Sequence, residues 1–197
     1  MGADIIDTLV GIGPGTALDA IRARRPQARE QAQASYTALF APENLGGVTA
    51  PERFAVAAFI AGLHDDARIV AFYADRLAAS GAPAVLRDAV DTVAGAAKGQ
   101  GPYGSYPAGP LSRENTAGPT WRLSPELRGA LGARLAAAFE HMHLLVFHPR
   151  DAAPGALQAL LDAGWSTTDI VTLSQIAAFL SFQIRAVAGL RVLAGAP

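Results

Sequence analysis

Apolar side chains recur three and four positions apart along most of this chain, with no sustained alternation of β-branched and polar residues. That period predicts helices. The stretch 26–40, "PQAREQAQASYTALF", opens with a proline in its first turn and reads as amphipathic. "TAPE" at 49–52 is a capping box that starts a helix running to about Leu63. "HDD" at 64–66 can cap a second helix to Ser80, closed by Gly81, and residues 83–97 form another that ends at "KGQGP". "SPEL" at 124–127 opens a helix to His148, which Pro149 stops. "PGALQALLDAG" is a short helix closed by Gly164, and "STTD" at 166–169 is a second capping box before a long apolar helix to about Leu193. The expected fold class is all-α, with about eight helices in one domain over residues 1–197.

Residues 98–123, "KGQGPYGSYPAGPLSRENTAGPTWRL", break the period. A connection of this length is either functional or disordered, and Tyr103, Tyr106 and Trp121 argue for order. It is expected to pack over the surface, as a lid on a pocket or as a structural belt.

A weak internal repeat accompanies the pattern. The stretches 52–81 and 129–164 both read as helix, histidine, helix, glycine, and setting His64 on His141 aligns their apolar positions. The pseudo-repeats would span about 50–97 and 124–194, joined by the loop 98–123.

Composition narrows the chemistry. Hydrophobic residues make up 51% and charged ones 17% of the 197, so the exposed face is thin in charge and a homo-oligomer, dimer or trimer, is expected, with the apolar 167–193 helix at its interface. The net charge of −1 offers nothing to nucleic acid. Zero cysteines exclude disulfides, thiolate metal sites and a thiol nucleophile. The start "MGADIIDTLVGIGPG" lacks a basic region, so no signal peptide is expected. By this reading no apolar run reaches the ~18–20 residues of a membrane span, so a cytoplasmic protein with no membrane partner is expected.

The candidate chemistry lies in "HMHLLVFH", 141–148, which holds three of the four histidines. His141 and His143 point about 200° apart on a helix, while His141 and His148 share a face but stand roughly 10 Å apart along it. That spacing suits a metal poorly, and neither a metal nor a cofactor is expected. His141 and His148 should line a pocket between the two units beside Leu144 and Leu145, and His143 should point elsewhere.

The arrangement resembles the alkylhydroperoxidase D and carboxymuconolactone decarboxylase superfamily, an all-helical fold built from such repeats, whose redox members carry Glu-x11-Cys-x2-Cys-x3-His. In the second unit the matching register puts His141 and Leu144 at the cysteine positions, His148 on the histidine and Gly129 on the glutamate. In the first it gives Glu52, His64, Ala67 and Ala71. The closing helix is similar to the family's, with its arginine at Arg185. "GPYGSYPAGPLS", "FEHMHLLVFHPRDA" and "GWSTTDIVTLSQ" look like a cysteine-free branch of carboxymuconolactone decarboxylase domain proteins, similar across nearly the whole chain. Members of that branch tend to be encoded near flavin-dependent monooxygenases and peroxidase-related proteins.

The resemblance implies a fold without thiol peroxidase chemistry, because sulfenate formation and resolution both need sulfur. It leaves acid–base work on a small carbonyl or carboxylate ligand, with Glu52, His64, His141 and His148 as the proton-moving candidates if the two units face each other. Arg185, or Arg113 and Arg122 beside the loop, would anchor a carboxylate, and Tyr103, Tyr106 and Trp121 would contact the ligand. A non-catalytic ligand-binding or partner subunit is the alternative.

Overall fold

The computed structural model describes residues 4–195. Among them are nine α-helices: α1 (Ile5–Val10), α2 (Ala17–Ala23), α3 (Pro26–Phe40), α4 (Ala50–His64), α5 (Ala67–Ala79), α6 (Ala84–Ala96), α7 (Pro125–Phe147), α8 (Pro154–Asp162) and α9 (Thr167–Leu193). Short 3-10 turns lie at Pro110–Glu114 and Pro149–Asp151. No sheet is present among the described residues, only one antiparallel bridge between Gly104 and Thr116. The all-α expectation holds.

The architecture follows from α4. Its residues from Arg53 to Leu63 are all buried, as an Ala-rich helix that is apolar on every side requires. Helices α3, α5, α6, α7 and α9 pack around it. Phe59 of α4 stacks flat on Phe139 of α7, with ring centroids 4.3 Å apart and planes within 4°. At Gly62 an added Cβ would lie 2.6 Å from that of Ala94, so glycine is what lets α6 approach α4.

The caps form as the sequence dictates. Thr49 and Glu52 close a reciprocal capping box on α4, Ser166 and Asp169 close another on α9, and Asp66 and Ser124 cap α5 and α7. Each such cap contributes about 1 kcal/mol.

Three expectations need correction. Helices α1 and α2 are additional; at six and seven residues they span less than two turns, too short for a period to show. Contacts with Arg22 and Arg29 hold Asp4, Asp7 and Asp19 there instead. Helix α7 is not continuous: Gly132, at φ 76° and ψ 162°, breaks it into a short opening segment of nearly two turns and a long second segment, a conformation glycine adopts at little cost. Finally, α9 is long and apolar enough to cross a membrane by length and composition, with a mean hydropathy of 1.5 over an 18-residue stretch of it. Its ten buried residues pack instead on α1, α3, α4, α7 and α8.

One polar node ties the helix N-termini together. Arg53, buried inside α4, donates to the carbonyls of Val48, Leu39 and Leu45, and so fixes the connection between α3 and α4. Arg134 of α7 donates to Glu52, Gly164 and Gly47, and its guanidinium lies 3.7 Å from the ring of Trp165. Trp165 donates back to the Arg134 carbonyl. His64 ends α4 whereas His141 lies inside α7, so helix ends do not coincide in the register that pairs these histidines.

Candidate functional site

The second segment of α7 and the residue that caps it bring the three clustered histidines to one cleft of about 300 Å³. Helix α7 forms its floor, with Ala137, Glu140, His141 and Leu144. Small residues of α8 (Gly155, Ala156, Ala159) form one wall, and the end of the 98–123 strap (Thr120, Trp121, Arg122) forms the other. The cleft therefore lies within the second unit, not between the two, and Leu145 is not among its walls.

His143 corrects the angular expectation. It lines the same cleft as His141, because the strap and α8 wrap far enough around α7 to meet both faces. Its ring stacks on Trp121, with centroids 4.9 Å apart and planes 24° apart, and Trp121 in turn stacks on Phe59. Burial pushes the His143 pKa down to about 4, against a backbone hydrogen bond at Ala97 that pulls it upward. The ring is neutral at ordinary pH.

His141 is 6% exposed, lines the cleft, and its Nδ1 has no hydrogen-bond partner. Burial lowers its pKa and favours the neutral imidazole. An unpaired buried ring nitrogen costs about 1–3 kcal/mol, which a ligand can recover.

His148 has a different task from the one its spacing suggested. It caps the C-terminus of α7, its Nδ1 lies 2.9 Å from Asp151 Oδ2, and its Nε2 lies 3.0 Å from the Pro119 carbonyl. Both nitrogens are already engaged. The hydrogen bond from His148 holds the Asp151 carboxyl below its ordinary pKa.

Tyr103 and Tyr106 serve the strap, not the cleft. Tyr103 packs its ring 5.1 Å from that of His148, and its amide donates to the Phe147 carbonyl at 2.6 Å. The same ring lies against Gly118, where an added Cβ would fall 2.2 Å from Tyr103 Cγ. Tyr106 sits under the Arg150 guanidinium at 4.2 Å. Of the three aromatics, only Trp121 lines the cleft.

The first-unit candidates lie elsewhere. Glu52 accepts from Thr49 in its capping box and from Arg134, and stands at the opposite end of α4 from His64, about 18 Å along the axis. Glu52 and His64 cannot meet around one small ligand. His64 Nε2 is buried without a partner, and burial, then the Arg185 charge, lowers its pKa. Arg185 is exposed and donates to the Ser181 carbonyl on its own helix. Arg122 is the cationic group at the cleft, 70% exposed along its side chain and paired with Glu140 at 3.0 Å. Glu140 also accepts from Arg128 and the Leu123 amide.

Asp151 and Gly118 escaped the sequence reading. The signal for Asp151 was present: an acid three residues after a histidine that ends a helix, across a proline turn. No family model, curated protein or solved structure matches this chain.

Proposed function

We propose that this chain is an alkylhydroperoxidase D-like, carboxymuconolactone decarboxylase domain protein that binds a small carbonyl or carboxylate compound in the α7–α8 cleft, with His141 as the proton-accepting group. The observation that carries this reading is the unpartnered Nδ1 of a buried His141 beside a preformed, mostly apolar cleft. Its volume of about 300 Å³ is at the small end of ligand sites. The flat Trp121–His143 stack favours a planar ligand. Arg122 is exposed enough to swing from Glu140 to a ligand carboxylate. A neutral imidazole in apolar surroundings takes a proton from a carbon acid next to a carbonyl and returns it. With no cysteine in the chain, peroxide reduction through a sulfenate has no route.

Benzoate and acetophenone are suitable probes. At about ten times the dissociation constant, bound benzoate raises the thermal midpoint by roughly 3–6 °C. His141→Gln is expected to abolish that rise with the unliganded midpoint kept, and Glu52→Gln to leave it intact. An equal rise in His141→Gln would overturn the assignment. The second reading, a non-catalytic binding subunit, draws on the engagement of both cleft carboxylates, Glu140 by arginines and Asp151 by His148. Solvent deuterium entering the acetophenone methyl group only with His141 present supports catalysis; binding without exchange supports the subunit.

The same proposal includes self-association. On α9 the exposed positions Val171, Gln175, Ala178, Phe182, Arg185, Gly189 and Val192 alternate four and three apart, the spacing of a two-helix seam. A second copy is the expected occupant. Phe182→Glu should convert a sedimenting dimer to monomer, and a wild-type monomer at micromolar concentration would refute the seam.

A further inference from the structure

The strap 98–123 is fastened at three places. Near its start the Tyr103 amide donates to the Phe147 carbonyl, and Gly104 bridges Thr116. At its end Leu123 donates to Glu140. Between these, the four residues that follow α7 grip it from one side. Arg150 lies over Tyr106 and donates to the Glu114 carbonyl, Asp151 accepts from the Ser105 amide at 3.3 Å, and His148 meets the Pro119 carbonyl at 3.0 Å. Pro119 immediately precedes Thr120, Trp121 and Arg122, the wall of the cleft.

The donor and acceptor inventory at His148 is decisive. A carbonyl oxygen only accepts, and so does an ionised carboxylate. Both bonds, Nε2 to Pro119 and Nδ1 to Asp151, therefore form together only when both ring nitrogens carry hydrogen. Loss of one proton leaves two acceptors facing one N–H.

We propose that His148 and Asp151 form a proton-dependent latch on the strap: the imidazolium holds Pro119 and thereby the Trp121 wall against the cleft, and the neutral ring releases it. His148 is then a positioning residue. The other charged and titratable groups around it are Asp151 and Arg150 on its own turn, Glu140, His141 and His143 on α7, and Tyr103 and Arg122 on the strap. Of these only Asp151 shares a hydrogen bond with the ring. The latch rests on the cleft reading only in that the strap's end is a cleft wall; no ligand is needed to observe it.

The test uses the unliganded full chain and reads acrylamide quenching of tryptophan fluorescence between pH 5.5 and 8.5. Trp165 is 1% exposed and stays silent, so the signal reports Trp121. Wild type should show a one-proton rise in quenching as pH increases. His143 titrates at about 4, outside the window, and His141→Gln should keep the step.

Asp151→Asn is the discriminating variant. Its amide can donate to Nδ1 of a neutral ring while Nε2–H still donates to Pro119, and its oxygen can still accept from Ser105. This variant should therefore lose the step and stay in the low-quenching state at every pH. His148→Gln should also lose it. A wild-type profile with no step, or an Asp151→Asn profile with the wild-type step, would overturn the latch. A circular dichroism spectrum matching wild type accompanies each variant. Because benzoate is absent throughout, failure here leaves the His141 binding experiment to stand or fall separately.

Discussion

Two polar regions of this molecule use the same residue types to opposite ends. At the helix N-termini, Arg53 and Arg134 each donate to three acceptors, Glu52 is shared between a cap and a guanidinium, and Trp165 closes the group with its own N–H. At the cleft, His141 has a bare nitrogen and Arg122 points largely into solvent. A saturated polar network has nothing left to offer a ligand and contributes only to the fold. An unsaturated one next to empty volume is where recognition has free energy to gain. Glu52 and His141 stand on an equal footing in the sequence, and satisfaction of their hydrogen bonds separates them.

The strongest way to break this contrast is to remove a node residue. Arg53→Met keeps the length of the side chain but strands two buried carbonyls and a partly buried third, and it should lower unfolding stability by about 3–5 kcal/mol in urea titration. His141→Gln should change the same titration by far less. Equal losses would mean that the two regions do not differ in kind.

A somewhat smaller effect sharpens the comparison from the cleft side. His143 takes up its proton only at about 4 when folded, but near 6.5 when unfolded. A depressed folded pKa means that stability is complete above pH 6.5 and falls as the solution is acidified toward 4, by up to about 3 kcal/mol from this ring. His64 and His141, whose pKa values are also lowered, act in the same direction. His143→Gln should flatten the fall in unfolding free energy between pH 6.5 and 4; an unchanged slope would place the acid sensitivity elsewhere.

The fold was legible because its signals are local. Capping boxes at Thr49 and Ser166, the glycine stop at Gly164 and the all-round apolar run of α4 each fix an element within a few residues. The kink at Gly132 was not, since a lone glycine within an apolar period is tolerated in a straight helix as well. The site was half legible. Helical spacing puts His141 and His148 near one cleft, but it implies a single inner face for α7, and α8 with the strap encloses more than one. No local signal marks His148 as the partner of Pro119 and Asp151, because that depends on how a 26-residue irregular segment returns across α7. Glu52 shows the opposite failing. Its capping role was readable from "TAPE" alone, and that role already occupied the carboxylate which the family register put forward for catalysis.

The flat contact between Tyr103 and Gly118 sets a rule for how this chain can drift in sequence. With the ring where a Cβ would have to be, position 118 is closed to the other nineteen amino acids as long as position 103 is aromatic. Any path by which the strap acquires a side chain at 118 must first pass through a smaller residue at 103. That intermediate also loses the ring beside His148. The two positions are thus bound to change in a fixed order or not at all.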